Sequence, residues 1–279
     1  MGACAAKPGG VVRSFDAQAK PTSACVPPGE CVLTEEWSKA KLVGREKCKE
    51  SASIFTFQLP DVTKPLGLST CACILAKGNE DTVRPYTPVS TNAMLGKFEL
   101  MVKVYPDGAM SQYMDKLLIG DSMYFKHLPF NVKVQYPFGK KAIGMICGGT
   151  GITPMIQALH ALLGTVGDNT TVSMLYGSKV RHDILADETL GAWAAGAGGR
   201  FSCTHVLSEE PEGSPWSGAR GHITRELVET HLPPPSEDCA IFVCGPPGMY
   251  GALCGPRNQP QLAGLLAEMG YSAEQVVKF

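Results

Sequence analysis

The sequence predicts two bodies in one chain: a small all-β barrel followed by an α/β unit built on a parallel sheet. Three observations predict this. A length of 279 residues suits two domains of roughly 100–200 residues each. Up to about residue 137 apolar residues recur at period two, whereas beyond Lys141 apolar runs alternate with helix-length segments. Gly and Pro number 31 and 21, together near one residue in five against a usual share of about 12%. That share fits many turns and glycine loops and excludes a coiled coil or a simple helical bundle. No Gly-x-y period exists, which excludes collagen.

Residues 1–29 mix Ala, Gly, Pro and Lys without a period and are expected to form a flexible arm. Residues 30–137 are expected to hold the barrel and a linker. Ser53 to Leu59 alternates polar and apolar, and Phe98, Leu100, Val102 and Val104 share one face. One helix is expected to start at Ser111 and stop at Gly120-Asp121. The linker is expected near 127–140, which is rich in Pro and aromatics. Residues 138–279 are expected to form the α/β body. Strands are expected at Ala142–Cys147, Thr171–Tyr176, Phe201–Leu207, Ala240–Cys244 and Val276–Phe279. Helices are expected at Pro154–Leu163, Asp183–Ala195, Ile223–His231 and Gln261–Met269. Such alternation is the mark of a parallel sheet covered on both faces.

Composition narrows the function. The net charge is −1, with 25 basic and 26 acidic residues, so no broad basic field for nucleic acid exists. Eleven scattered cysteines without a secretory signal, and without any Cys-x-x-Cys pair, predict a cytoplasmic protein with free thiols and no metal site. The uncharged run Ala142–Gly167 is long enough for a bilayer, but Gly148-Gly149-Thr150-Gly151 at its centre makes it strand, loop and helix rather than a membrane span. The six histidines show no ligand spacing.

Two loops follow strands of the α/β half. Gly148 to Pro154 lets backbone approach a ligand, with free N–H groups at a helix start. Only Gly149-x-Gly151-x-x-Pro154 matches the dinucleotide fingerprint, and an ordinary strand-to-helix turn reads the same way. The acidic residue expected at the end of the second strand is replaced by Tyr176-Gly177-Ser178-Lys179-Val180-Arg181. Cys244 to Met249 follows the fourth strand, so both loops should share the carboxyl edge of the sheet. For Cys244 a small buried side chain is the competing reading. In the barrel half, Arg84 to Ser90 combines a forked cation, two prolines and three hydroxyls, suited to a phosphate and a flat ring, or to an edge strand near a turn.

Arg84-Pro-Tyr-Thr-Pro-Val-Ser90, Gly108-Ala-Met-Ser-Gln112, Gly148-Gly-Thr-Gly-Ile-Thr-Pro-Met155 and Cys244-Gly-Pro-Pro-Gly-Met249 occur in one order. From about residue 35 to Phe279 the chain resembles the NADH–cytochrome b5 reductases of the ferredoxin-NADP reductase superfamily. The resemblance implies a Greek-key FAD-binding barrel followed by a five-stranded NAD(P)-binding domain. It implies hydride transfer from NADH, with NADPH as a second candidate, to FAD, and then single electrons to cytochrome b5 or a similar haem protein. Carried over by position, Arg84 holds the FAD pyrophosphate, and Tyr86 and Thr87 touch the flavin or its ribityl chain. Gly108, Met110 and Ser111 bind phosphate through the helix start. Lys103 approaches the nicotinamide nucleotide, and Gly149, Thr150 and Gly151 receive its pyrophosphate. Thr150 or Thr153 lies near the flavin and Cys244 by the nicotinamide. Pro85, Ser90, Tyr105, Gly148, Gly245, Pro246 and Met249 complete the implied cofactor-binding set, with Thr87, Lys103 and Cys244 as its catalytic members.

The chain departs from that pattern in four places. Thr70-Cys71-Ala72-Cys73 replaces Gly-Gln-His, Ala109 stands where relatives often have Lys, the segment Gln135 to Lys141 is short, and Ser208 stands where relatives have Asp. Ser178, Lys179 and Arg181 are then candidates for a 2′-phosphate. A reductase module of the nitrate-reductase kind shares every motif. A non-catalytic redox sensor built on Cys71-Ala72-Cys73 is the alternative from another class. Met1-Gly2-Ala3-Cys4 resembles an acylation start with Ala6 where Ser or Thr is usual, so a lipid anchor on the cytosolic face of a membrane is kept beside an unmodified arm. A monomer is expected.

Overall fold

The computed structural model describes residues 20–79, 82–129 and 132–279. The acylation-like start lies outside them. The first body is a six-stranded antiparallel sheet in the order β4-β3-β6-β1-β2-β5. Its strands are β1 (Ser38–Lys49), β2 (Ala52–Gln58), β3 (Ile74–Lys77), β4 (Val83–Tyr86), β5 (Lys97–Lys103) and β6 (Ser122–His127). The outer strands meet where the Val89 N–H donates to the Glu99 carbonyl at 2.9 Å and the Glu99 N–H donates to Ser90 Oγ at 2.9 Å. Inside, Phe57, Phe98 and Phe125 pack edge and face at 4.9–5.6 Å, and all three are fully buried. Each such ring contributes roughly 1.5–3 kcal/mol of transfer free energy.

Helix α1 (Ala109–Asp115) starts two residues before the expected Ser111 and ends earlier than Leu118. Gly120, at φ +103°, closes the turn that follows, and its N–H donates to the Leu42 carbonyl.

The second body is a parallel sheet in the order β10-β9-β8-β7-β11-β12. Its strands are β7 (Ala142–Gly148), β8 (Thr171–Ser178), β9 (Phe201–Leu207), β10 (Ala219–Arg220), β11 (Cys239–Cys244) and β12 (Val276–Lys278). Five of them are those the alternation predicts; the two-residue β10 is an added edge. The helices are α2 (Ile152–Gly164), α3 (Asp187–Gly196), α4 (Arg225–His231), α5 (Pro247–Leu253) and α6 (Gly264–Glu268). Helix α2 is apolar nearly all round, as a helix sandwiched between sheet and barrel must be.

The bodies share a core. Ala52, Ile54, Val89 and Met101 of the barrel belong to the same buried cluster as Ile152, Met155 and Ile156 of α2. Residues 21–23, expected as part of a free arm, lie against α2 instead. The Thr22 N–H donates to His160 Nδ1 at 3.0 Å, and the Thr165 hydroxyl donates to Ser23 Oγ at 2.7 Å. A Cβ on Gly164 would stand 2.5 Å from the Ser23 nitrogen, so glycine admits the crossing.

His160 packs edge-on against Trp193 at 4.7 Å, and burial pushes its pKa down to about 4. The neutral imidazole is the folded form. Below an unfolded value near 6.5 the unfolded chain takes up a proton that the folded chain refuses. Stability from this group is therefore complete above pH 6.5, falls as pH drops toward 4, and levels off below, for a total of about 3 kcal/mol. Urea midpoints of the parent and His160→Asn should converge as pH falls from 7 to 4.5. Parallel curves would contradict it.

Candidate functional site

The carboxyl edge of the parallel sheet faces the open edge of the barrel. The β7 strand ends at Gly148, and Gly149 takes φ +54°, where a glycine carries no Cβ penalty. Gly151 has an ordinary φ of −61° but no space: a Cβ would fall 2.1 Å from the Cys244 carbonyl oxygen. The two loops thus touch backbone to backbone. Met249 is their wedge, because a Cβ on Gly148 would meet its Cε at 2.7 Å and one on Gly245 its Sδ at 2.6 Å. Its place is between the loops, which is a packing position. Pro246 N-caps α5 and also lies against Gly148. Thr153 donates to the Thr150 carbonyl at 3.2 Å and is buried, whereas Thr150 is half-buried at the loop crest.

On the barrel side, Arg84 and Pro85 are exposed on edge strand β4, and Tyr86 and Thr87 are half-buried. Arg84 donates to the Val83 carbonyl at 2.8 Å and reaches no carboxylate among the described residues. Burial pushes the Tyr86 phenol up to about 12, against a smaller lowering by Arg84. Ser90 is buried and committed to the barrel seam. Gly108 precedes α1. Ser111 accepts from the Tyr105 N–H at 3.1 Å and donates to the Gly108 carbonyl at 3.0 Å, and a Cβ on Gly108 would strike Ser111 Oγ. The buried Ser111 hydroxyl therefore shapes the loop. Met110 is buried in the barrel core.

Two side chains cross the gap. Lys103 pairs with Asp183 at 2.8 Å, both mostly buried. Tyr105 reaches the glycine loop, its hydroxyl 3.9 Å from a Cβ built on Gly149. Sequence reasoning misses Gln157. Its amide donates to the Pro88 and Ser90 carbonyls, both at 2.7 Å, fixing the barrel motif to α2. It also misses Tyr176, whose hydroxyl donates to the Gly149 carbonyl at 3.1 Å. A polar residue in an apolar helix is the only signal of Gln157, and Tyr176 resembles any strand aromatic.

Cys244 lies beside Gly151, and burial pushes its thiol up to about 11, so it is neutral near pH 7. Cys71 stands at φ +64° and donates to the Pro154 carbonyl at 3.2 Å. At the far end of β8, Lys179 pairs with Glu209 at 2.8 Å and the Arg181 N–H donates to Glu210 Oε2 at 2.7 Å. Every described cysteine is free, and no cluster of metal ligands occurs among the described residues.

A barrel and a parallel sheet facing each other across two glycine-bearing loops define an FAD- and NAD-dependent oxidoreductase. The family model described as the oxidoreductase FAD-binding domain matches residues 39–129, and that of the oxidoreductase NAD-binding domain matches 145–255. NADH-cytochrome b5 reductase 2 of Coccidioides immitis is 38% identical over 257 residues, 87% of this chain and 77% of that one. The protein of that name from Scheffersomyces stipitis is 36% identical, covering 88% and 84%. The cytochrome b5 reductase domain of Ulva prolifera nitrate reductase superposes with a TM-score of 0.78 at 27% identity, over 92% of this chain and all of that one. The chain belongs to the NADH–cytochrome b5 reductase family.

The residues fit the cofactors. The Arg84 guanidinium with no carboxylate among the described residues and the Cβ-excluding contact at Gly151 are what a diphosphate and a closely seated dinucleotide require. FAD and NADH are its cofactors.

Proposed function

We propose that the chain passes a hydride from NADH to FAD and single electrons onward to cytochrome b5, with the backbone contact between Gly151 and Cys244 as the observation that carries the reading. Bound FAD supplies the change from two-electron to one-electron chemistry. The protein's part is binding, orientation and exclusion of water. Arg84 holds the flavin diphosphate, and Tyr86 and Thr87 border the ring system. The loop at Gly149 to Gly151 receives the diphosphate of NADH. The Lys103–Asp183 pair and Gln157 tie the two bodies together, which would keep the flavin and nicotinamide sites at a fixed separation. Cys244 borders the nicotinamide as a neutral thiol. We infer a monomer with an unmodified arm; among the described residues no helix is long and apolar enough to cross a membrane.

Anaerobic reduction with NADH followed by mixing with cytochrome b5 tests this. Bleaching of the flavin, then its return as the haem reduces, is expected. Flavin that bleaches but never passes electrons to cytochrome b5 would assign another acceptor.

Cys244→Ser should slow flavin reduction by about tenfold or less, with FAD content unchanged, because a thiol this far above neutrality is no nucleophile. Complete loss of turnover would give it a chemical role.

Two carboxylates stand beside the candidate 2′-phosphate ligands. Lys179 and the Arg181 backbone are engaged by Glu209 and Glu210, so NADH should be strongly preferred despite Ser208. Glu209→Gln frees Lys179 and should raise kcat/KM for NADPH several-fold while leaving that for NADH nearly constant. An unaltered ratio of the two would place the adenosine ribose elsewhere.

A further inference from the structure

The end of the barrel farthest from the cleft has no part in the chemistry above, yet it gathers exposed apolar side chains. Among the described residues, Leu118 and Ile119 are 73% and 62% exposed, and Val62 and Leu95 are 56% and 58% exposed. The first pair forms the tip of the turn after α1. The second pair comes from two other loops that touch each other, since a Cβ on Gly96 would stand 2.4 Å from the Val62 carbonyl oxygen.

Strand register puts both pairs at one end. Ser122 pairs with Lys41, Lys41 with Gln58, and Gln58 with Lys97. At about 4.8 Å per strand, that row spans roughly 15 Å. The Leu118–Ile119 tip hangs from its Ser122 side, tied to β1 by the bond from the Gly120 N–H to the Leu42 carbonyl. Leu95 and Val62 flank its Lys97 side. Lys103 and Tyr105, which face the cleft, are at the opposite end of β5, about 20 Å away.

Lysines frame the apolar tips. Lys41 and Lys97 are in the row, Lys64 is beside Val62, and Lys116 stands two residues before Leu118. The acidic groups there each have a partner of their own. Asp121 accepts from the Leu118 N–H at 2.8 Å, and Asp61 accepts from the N–H and hydroxyl of Thr63 at 2.9 and 2.7 Å. Asp61 also stands 3.8 Å from Lys64, and Asp115 is paired with Arg45. The chain as a whole carries −1, so this basic frame is a local property of one face.

We propose that this end of the barrel docks on an anionic lipid surface. Leu118, Ile119, Val62 and Leu95 would enter the headgroup boundary, and the lysines would pair with lipid phosphates and carboxylates above it. Protruding aliphatic tips favour lipid over an acidic protein, whose surface offers no apolar phase for them to enter. Docked this way, the enzyme presents its cleft away from the membrane surface. Nothing in this depends on which electron acceptor the cleft serves.

The test is co-sedimentation of the full chain with vesicles of phosphatidylcholine, with and without phosphatidylserine. Binding should need phosphatidylserine and weaken with salt. It should fall at least about tenfold in Leu118→Asp/Ile119→Asp and in Lys41→Glu/Lys97→Glu, each retaining its yellow colour and turnover with ferricyanide. No binding to phosphatidylserine vesicles, or equal binding by parent and variants, overturns the proposal. A lysine variant that raises KM for cytochrome b5 while binding vesicles normally also overturns it, by making this face a protein-docking surface.

Discussion

Gly151→Ala should lower kcat/KM for NADH by about a hundredfold while leaving FAD content and barrel stability close to those of the parent. At φ −61° alanine suits the backbone, and a methyl there would normally stabilise the helix start that follows. Every loss must then come from contact. The added Cβ would stand 2.1 Å from the Cys244 carbonyl oxygen, 2.6 Å from its carbon and 3.0 Å from the Gly245 nitrogen. All three are backbone atoms, so no side chain can swing aside. One of the two loops must move by about an ångström, a displacement of the size that costs roughly a hundredfold when it falls between reacting groups. Gly149→Ala is the contrasting variant. Its φ of +54° costs roughly 1–2 kcal/mol, but its Cβ meets nothing nearer than the Tyr105 hydroxyl at 3.9 Å. It should therefore lose stability more than turnover. Equal turnover in Gly151→Ala and parent would remove the loop contact from the mechanism.

That contrast marks what is legible in the sequence. The two bodies, their order and the strand-to-loop positions of both glycine motifs follow from hydrophobic period and from Gly and Pro placement, which are local properties. Which glycine is needed for its torsion and which for its missing Cβ is not local. Gly149 and Gly151 read alike in the chain, and only the approach of the Cys244 loop, more than ninety residues on, separates them. Contacts across the two bodies are hidden for the same reason. Gln157 sits in a helix whose pattern predicts only burial, yet its amide reaches back to the Pro88 and Ser90 carbonyls. Lys179 reads as a free cation until parallel pairing of β8 and β9 brings Glu209 beside it. Residues 21–23 read as part of a free arm because Pro and small polar residues carry no periodic signal. Their hydrogen bonds to α2 are made by backbone and hydroxyl groups that any loop possesses.

Arg84→Ala should weaken FAD binding by tenfold or more, the largest loss expected from any single barrel side chain. Arg84 lies on β4, an edge strand, in register with Ala76 and preceding Pro85, which cannot donate to a neighbour. The strand thus offers its side chains rather than its backbone. The guanidinium is exposed, spends one N–H on the Val83 carbonyl and has no carboxylate partner among the described residues, so its remaining donors are available to a diphosphate. Each charge-assisted bond lost contributes about 1.5–3 kcal/mol, and about 1.4 kcal/mol is a factor of ten. Arg84→Lys keeps the charge and loses the fork, so it should fall between parent and alanine variant. Fluorescence titration of the stripped protein with FAD measures all three. The parent's thermal midpoint should also rise more steeply with added FAD than that of Arg84→Ala, because a ligand that binds only the folded state stabilises it in proportion to its affinity. Parent-like FAD affinity in Arg84→Ala would move the flavin diphosphate off β4 and leave the backbone before α1 as its sole support.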